Sequence, residues 1–311
     1  MAAAPLNDRP RYQETLHNVP KLMSELMSSY SGVPAEEQIA HITRLRNEGY
    51  AEFPYPCMGS FRFLDLDLAR HEAYQEHVLA PLAQPAVPGK IEPLFLDCGC
   101  CLGQDLRKLV VDGAAPSRLW ASDIKARFIE LGFELFRDGH KLPRDHFLCP
   151  GNLLADADSD AAAAEDRLSV LNDRVTILSI SAVFHLFDLD DHRRIADRCL
   201  RLLRKDTGAP VLIVGAHGGL KVPARLPRAR QNSYRYLHNG ESWEALWREV
   251  CAQPRWRDRV AAVEVKSKMF GRVHSDGPEQ GDIVRLLDPD TMGDGRIWQR
   301  FEVWVTFKPA A

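Results

Sequence analysis

The sequence predicts an α/β fold in which a mainly parallel sheet follows a helical N-terminal segment. Three observations lead to this prediction. Residues 94–111 have the order buried strand, glycine turn and helix. A second strand ends at Asp123, and strand-like and helix-like runs then alternate as far as residue 215. Alternation of this kind is typical of parallel sheets, whose neighbouring strands are joined by helices.

The N-terminal residues 11–49 predict two helices. Apolar residues recur at helical spacing in one stripe from Leu16 to Met27 and in a second from Ile39 to Leu45. Gly32 and Pro34 lie between the stripes and separate the two helices.

The region that follows connects these helices to the core. Residues 53–63 are aromatic and proline-rich, which indicates a linker or an extended active-site segment, and residues 68–82 predict another helix. The proline-rich run 84–90 marks the boundary that we expect between two parts of the chain. An N-terminal helical cap and linker would occupy residues 1–90, and the core would occupy residues 91–311.

The core is predicted to begin at the glycine turn, and its strands follow in order. Asp97, Gly99 and Gly103 have the spacing D-x-G-x-x-x-G, whereas a dinucleotide-binding turn has G-x-G-x-x-G. Glycines let the backbone approach a ligand, and a helix N-terminus offers free N–H groups. The predicted strands are 94–97, 119–123, 146–148, 175–181, 211–215, 260–270 and 300–307. Residues 156–166, rich in alanine and aspartate, predict an exposed insertion.

The glycine turn resembles the first motif of the class I S-adenosyl-L-methionine (SAM)-dependent methyltransferases. The run 98–109 is more narrowly similar to fungal secondary-metabolite methyltransferases, including those that methylate meroterpenoid intermediates. Stretches 55–64, 184–187 and 242–250 resemble the same group, so the resemblance covers most of the chain. In that family the leading Asp97 belongs to a site that receives a cationic methionine moiety, which suits a buried carboxylate.

The resemblance implies a Rossmann-like class I methyltransferase sheet, mainly parallel with the last strand antiparallel. It also implies SAM as the cofactor and a small-molecule natural product as the acceptor, most often methylated on a hydroxyl or carboxylate oxygen. The alternatives are N- or C-methylation and a non-catalytic binding or scaffold protein that keeps the SAM fold. An NAD-linked oxidoreductase is disfavoured because the G-x-G-x-x-G spacing is missing.

The expected cofactor site surrounds the glycine turn. Asp123, about 20 positions after the turn, can accept hydrogen bonds from both ribose hydroxyls, although it could instead cap the next helix. Asn152 stands where the family often has an aspartate, and its carbonyl can accept a hydrogen bond from the adenine amino group. The expected cofactor-binding residues are Asp97, Gly99, Cys101, Gly103, Gln104, Asp123, Ile124, Asn152, Leu153 and Ser181.

His185 is the candidate catalytic residue. It follows the fourth strand, at the sheet edge where acceptors meet the methyl group in this fold, and its apolar neighbours favour the neutral ring. It would take a proton from the acceptor or orient it; the alternative is a histidine packed in a turn. His217 is its rival, and the candidate substrate contacts are Phe184, His217 and Tyr234.

Composition excludes several classes of partner. The 311 residues carry a net charge of −3, which does not provide the basic field that nucleic-acid binding needs. No apolar run has the length of a membrane span, and the first residues lack a signal-peptide core, so we expect a cytoplasmic protein. The seven cysteines lack the spacing of a metal site, so we expect reduced thiols and no metal. The sequence leaves open whether the chain forms a homo-oligomer.

Overall fold

A mixed sheet forms the centre of the molecule, in a computed structural model that describes residues 12–155, 166–228, 233–274 and 284–309. Its strands are short where they surround the glycine turn and long towards the end of the chain. The strands are β1 (Phe95–Cys98), β2 (Leu119–Ser122), β3 (Phe147–Leu148), β4 (Ile177–Ile180), β5 (Val211–Leu220), β6 (Ala224–Arg228), β7 (Ser233–Leu237), β8 (Val260–His274), β9 (Val284–Leu287) and β10 (Arg296–Phe307).

Eight of these strands form the main sheet, in the order β3-β2-β1-β4-β5-β10-β8-β9. Strands β1 to β5 run parallel to one another, and β10 is inserted antiparallel between β5 and β8. Strand β9 pairs antiparallel with β8 at the edge, and β6 and β7 form a separate hairpin. The prediction of a mainly parallel sheet whose last strand is antiparallel is therefore confirmed.

Eight α-helices accompany the sheet in the described residues. The predicted helix over 68–82 is instead divided into a 3₁₀ turn at Leu68–Arg70, a π-helical stretch at Tyr74–Leu79 and a short α-helix. Pro81 explains part of this division, because it has no N–H to donate to the carbonyl four residues earlier. The α-helices are α1 (Lys21–Ser29), α2 (Ala35–Glu52), α3 (Pro56–Gly59), α4 (Ala80–Ala83), α5 (Gln104–Val111), α6 (Ala126–Phe136), α7 (Leu189–Leu202) and α8 (Gly240–Cys251).

The N-terminal helices pack directly on the core. Met23 and Ile42, from α1 and α2, belong to the same buried apolar cluster as Leu131 of α6. Helix α6 in turn lies against the glycine turn, since a Cβ added at Gly132 would approach the carbonyl oxygen of Leu102 to 2.2 Å. The N-terminal segment therefore packs on α6 and on the turn itself, since Leu102 belongs to the same cluster, and the boundary near residue 90 stays a prediction.

Two further sequence expectations concern membrane-spanning helices and the insertion at 156–166. Among the described residues, no helix combines the length and the apolar character that crossing a membrane requires. The predicted insertion at 156–166 lies outside the described residues except for Asp166, which is buried and pairs with Arg198.

Candidate active site

A cavity of about 320 Å³ lies at the carboxyl ends of β1, β2 and β4. Strand order reverses between β1 and β4, and ligands of open α/β sheets bind at such a reversal. One wall consists of the loops that follow these strands, and the other consists of residues from the 55–67 segment. The cofactor residues predicted from sequence that line the cavity are Asp97, Gly99, Cys101, Gln104, Asp123, Ile124, Asn152, Leu153 and Ser181.

The glycine turn has little space for side chains. Gly99 has φ +74°, and a Cβ there would lie 2.6 Å from a methyl group of Val183. Gly103 has φ +65° and precedes α5; its added Cβ would lie 2.3 Å from the Arg107 guanidinium. Gly103 is therefore required by the backbone of the turn, and it is the one predicted cofactor residue that does not line the cavity.

A buried ion pair holds the turn from behind. The Arg107 guanidinium bonds both carboxylate oxygens of Asp138, at 2.8 and 3.1 Å, and donates to the carbonyls of Leu102 and Gly103 at 3.1 Å. Tyr30 donates its hydroxyl hydrogen to Asp138 at 2.9 Å. Because neither charge reaches water, the pair and its hydrogen bonds fix the turn to the N-terminal helices.

Asp123 joins the turn to the next helix. Its Oδ2 accepts the N–H of Cys101, and its Oδ1 accepts the N–H of Lys125, both at 2.9 Å. Burial raises the pKa of Asp123 to about 6, although these N–H donors oppose the rise. A carboxylate has about four acceptor positions, so the capping contacts leave room for ribose hydroxyls as well.

Negative charge dominates the cavity. Burial raises the pKa of Asp97 to about 7; a hydrogen bond from Ser179 opposes the rise, and the charge of Asp123 adds to it. Asp105 also lines the cavity, and its pKa is raised well above the ordinary value, first by burial. Among the described lining residues, Arg62 is the one cation, and it pairs with Asp67 at 3.0 Å. Such a cavity attracts a cationic ligand.

Sequence reasoning did not assign several lining residues. Three of them, Tyr55, Cys57 and Arg62, come from the segment 53–63 that was expected to be a linker or an extended active-site segment, and Leu66 and Asp67 follow it. The resemblance of stretch 55–64 to the fungal enzymes was the signal for them. The other lining residues missed from sequence are Phe63, Cys100, Asp105, Phe128, Gly151, Leu154, Ala182, Val183, Leu186 and Phe187.

Three of the six described non-glycine residues with a positive φ line the cavity. Leu66, Cys101 and Ala182 each have φ between +51° and +58°, a conformation that side chains other than glycine rarely adopt. All three line the cavity, and they come from the N-terminal segment, the glycine turn and the loop after β4. Strain of this kind persists where the surrounding structure imposes it, as it does at ligand sites.

His185 lies beside the cavity without lining it, although Val183 and Leu186 on either side in sequence do. Its Nδ1 accepts a hydrogen bond from the N–H of Gly218 at 3.2 Å. Burial lowers the pKa of His185 well below its usual value, and the charges of Arg272, Arg62 and Arg235 lower it further. The ring is therefore neutral, with its proton on Nε2.

The predicted substrate contacts do not line the cavity either. Phe184 is 1% exposed and packs against Trp243, with ring centroids 4.8 Å apart. His217 is 2% exposed, because β5 extends past the predicted end at residue 215 and places it inside the sheet. Tyr234 is 46% exposed on β7, where the Arg225 guanidinium covers its ring. Their role in binding an acceptor stays a prediction.

No group of three His, Cys, Asp or Glu side chains within the described ranges has the arrangement of metal ligands. The cysteines in those ranges are free thiols.

Comparison with known proteins identifies the family. Residues 11–64 match a family model described as the meroterpenoid methyltransferase N-terminal domain. The chain is 33% identical to the O-methyltransferase phiE of a fungal species (strain ATCC 74256), over 86% of this chain and 84% of that protein. It is 34% identical to the asnovolin E/chermesin D methyltransferase nvfJ of Aspergillus novofumigatus, over 72% and 74% of the two chains.

Solved structures with a similar fold include the CurJ carbon methyltransferase. The alignment of the two structures spans 92% of this chain and 70% of the CurJ chain, with a TM-score of 0.48 and 13% sequence identity. The sequence relatives carry the conclusion, since their identity exceeds 30% over more than two thirds of the chain. The protein is thus an enzyme that belongs to the fungal methyltransferase family represented by these relatives.

Proposed function

We propose that this enzyme transfers the methyl group of SAM to an oxygen of a small-molecule natural product, and that the oxygen belongs to a carboxylate. The observation that carries the proposal is the uneven charge of the cavity, with carboxylates around the glycine turn and arginine near His185. Two relatives, phiE and atr3, are named O-methyltransferases, which supports oxygen as the acceptor atom. The family model indicates a meroterpenoid acceptor.

The residues around the glycine turn fit SAM. Asp97 and its neighbouring carboxylates compensate the positive charges of the methionine moiety, Asp123 binds the ribose, and Asn152 accepts from the adenine amino group. The narrow space at Gly99 lets the backbone contact the ligand. When bound, SAM supplies a methyl group on a sulfonium that is ready for in-line displacement.

Guanidinium groups lie beside the cavity, around His185. The guanidinium of Arg62 lies 4.4 Å from the ring centroid of Trp298, and that of Arg272 lies 4.3 Å from it. The His185 ring lies 6.3 Å from the same indole, and Arg235 is close enough to depress its pKa. The guanidinium groups beside His185, of which Arg62 lines the cavity and pairs with Asp67, favour a carboxylate acceptor over a neutral hydroxyl.

His185 is then an orienting group. Since its Nδ1 already accepts the N–H of Gly218, the neutral ring has a donor at Nε2 and no free acceptor with which to remove a proton. A carboxylate acceptor is ionised at neutral pH and needs no base, so a hydrogen-bond donor is the group it requires. A hydroxyl acceptor would instead need a base, which His185 does not provide in this arrangement.

The acceptor atom can be determined from the product. The enzyme is incubated with SAM and paired meroterpenoid substrates that carry either a free carboxylate or only hydroxyl groups, and products are measured by mass spectrometry. We expect methyl esters, which mild alkali hydrolyses, whereas methyl ethers survive the same treatment. Arg62→Gln should raise KM for the acid and leave SAM affinity unchanged. Alkali-stable methylated products alone would contradict a carboxylate acceptor, and nitrogen or carbon methylation would be identified in the same experiment.

A further inference from the structure

His192 and His238 form a buried pair of rings beside the turn that carries His185. The two side chains are 0% and 2% exposed, and neither of them lines the cavity. Nδ1 of His192 lies 3.0 Å from Nε2 of His238. His192 lies at the start of α7 and His238 directly follows β7, so the pair joins two separate elements. Neither ring has a part in binding the cofactor, so the pair calls for another explanation.

Both rings are neutral. Burial lowers the pKa of His192 to about 4, although hydrogen bonds to the backbone at Phe184 and Phe187 oppose the change. Burial also lowers the pKa of His238 to about 2, and the neighbouring His192 lowers it further. A neutral imidazole has one donor nitrogen and one acceptor nitrogen. The partners of each ring therefore determine which nitrogen carries the hydrogen.

The hydrogen bonds of the pair run in one direction. Nε2 of His192 lies 2.6 Å from the backbone carbonyl oxygen of Phe184, which can only accept, so this nitrogen carries the hydrogen. Nδ1 of His192 is then an acceptor, and Nε2 of His238 donates to it. Nδ1 of His238 accepts from the Ser242 hydroxyl at 2.9 Å, which is closer than that hydroxyl's other acceptor, the Asn239 carbonyl at 3.3 Å. The three side chains thus form a relay of hydrogen bonds that ends on the Phe184 carbonyl.

Three hydrogen bonds from other elements hold the carbonyls of the stretch 184–187, which includes His185. His192 of α7 donates to the first carbonyl, the Arg228 guanidinium of β6 to the third, and the N–H of Tyr236 in β7 to the fourth. Strand β5 fixes Nδ1 of the His185 ring separately. The direction of the Nε2–H of His185 therefore depends on how firmly this backbone is held.

We propose that His192 and His238 are positioning residues for the methyl transfer, and that they act through His185. By donating to the Phe184 carbonyl, the relay fixes the backbone beside His185 and thereby the direction of its Nε2–H. A displacement of about 1 Å in a positioned group can cost about 10²-fold in rate. The inference rests on the orienting role proposed for His185, and it adds the groups that hold this ring in place.

Two substitutions of His192 test the relay. Methionine has a similar length but no donor, whereas glutamine places an amide near the Nε2 position and can still donate to Phe184. With a meroterpenoid carboxylic acid as substrate, His192→Met should lower kcat about ten- to a hundredfold. Its affinity for S-adenosylhomocysteine (SAH), measured by titration calorimetry, should not change, and His192→Gln should regain most of the turnover. His41→Met is the matched control: it removes a similar bond from Nε2 to the Leu135 carbonyl, at 3.1 Å, and should not change kcat.

A double-mutant cycle separates positioning from packing. If His192 acts through His185, the two losses in kcat have one cause, so His192→Met should lower kcat little further in the His185→Asn background. Losses that multiply would show that His192 acts independently of His185, and they would overturn the proposal. Wild-type kcat in His192→Met, or no recovery in His192→Gln, would also overturn it.

Nitrogen-15 NMR of the histidine rings tests the relay without turnover. In the wild type, His192 and His238 should both show the neutral form with hydrogen on Nε2, and the ring signals of His185 should shift in His192→Met. If His185→Asn keeps wild-type turnover, the orienting role fails, and these signals alone decide whether the relay holds the turn. Hydrogen on Nδ1 of either ring, or unchanged His185 signals, would refute the relay.

His238→Asn replaces His192→Met if that variant does not fold, as judged by its melting curve. Asparagine keeps a polar atom near the Nδ1 position for Ser242 but has no donor that reaches His192. This variant should lower kcat severalfold and leave SAH affinity unchanged, and a wild-type kcat would refute the proposal.

Discussion

At the level of single residues, the carboxyl groups of Asp97 and Asp123 determine how the cavity responds to pH. Their pKa values, about 7 and about 6, lie above the ordinary value of 3.8. Between about pH 4 and pH 7 the folded chain therefore holds protons that the unfolded chain has released, so the free energy of unfolding of the ligand-free protein falls as pH rises. A cationic ligand reverses this trend, because it binds the ionised carboxylates.

The first prediction concerns Asp97→Asn. At about pH 8 the variant should melt at a higher temperature than the wild type without ligand, because it removes a buried charge, and it should bind SAM more weakly. Affinity of the wild type for SAM should rise from about pH 5 to pH 8, with protons released on binding. Calorimetry in buffers of different ionisation enthalpy measures this release. Asp258→Asn, at an exposed position, is the control and should change neither property.

The second prediction concerns His185. Asparagine places a polar atom near the Nδ1 position and can accept the N–H of Gly218, whereas glutamine places a donor near the Nε2 position. If the ring orients the acceptor through Nε2–H, His185→Gln should keep more activity than His185→Asn, and the loss in kcat should be about 10²-fold or more. Neither variant should alter the pH profile between about pH 6 and pH 9. An acid limb of the wild-type profile, measured below about pH 6, that is lost in both variants would indicate a base, and unchanged turnover would indicate a packed histidine.

At the level of elements, the buried pair of Arg107 and Asp138 connects α5, the end of α6 and α1. Asp138→Asn leaves the Arg107 guanidinium buried without its counter-charge, which should cost about 3–5 kcal/mol of unfolding free energy. Denaturant unfolding measures this loss. Asp190→Asn removes an exposed pair with Arg193 and should cost under about 1 kcal/mol. Similar losses in the two variants would show that the buried pair does not hold the turn.

The strands show what the sequence could and could not predict. Strands β1, β2 and β4 were located within a few residues, because short apolar runs ending in Asp or Ser mark buried parallel strands. Strand β5 was predicted to end at residue 215. The structure shows that β5 pairs with β10 over its whole length, and a Cβ at Gly215 would approach the carbonyl oxygen of Ile180 to 2.1 Å. Contacts of this kind between the backbones of neighbouring strands arise from tertiary packing, so the local sequence does not reveal them.

In the candidate site, too, the residues that are neighbours in sequence were the ones that could be predicted. The motif spacing identified the cofactor half, because a strand, a glycine turn and a carboxylate lie next to each other in sequence. The proposed acceptor half depends on Arg62 and Arg272, which both pack on Trp298 although the three residues are far apart along the chain. Asp105 was missed because a carboxylate in the first turn of a helix is normally exposed and favoured by the helix dipole. Its burial arises from packing against the segment around Leu68.

At the level of the whole molecule, the boundary near residue 90 can be tested directly. Residues 83–90 are exposed, and the apolar cluster of Met23, Ile42 and Leu131 joins the parts on either side. Limited proteolysis should cut within 84–90 and give two fragments that stay together in gel filtration and still bind SAH, because residues 55–67 form a wall of the cavity. Fragments that separate, or a first cut elsewhere, would contradict the proposed division.

The uneven charge of the cavity has a consequence for the end of the catalytic cycle. In the proposed reaction, a sulfonium and a carboxylate become a thioether and an ester, so two opposite charges disappear in one step. Arg62 then loses the anion that it attracted, and the carboxylates near the glycine turn lose one of the two positive charges of their ligand. Coulomb attraction to both ligands weakens at once. Product departure would thus be driven by the chemistry itself, and raising the ionic strength should affect substrate capture more than product escape.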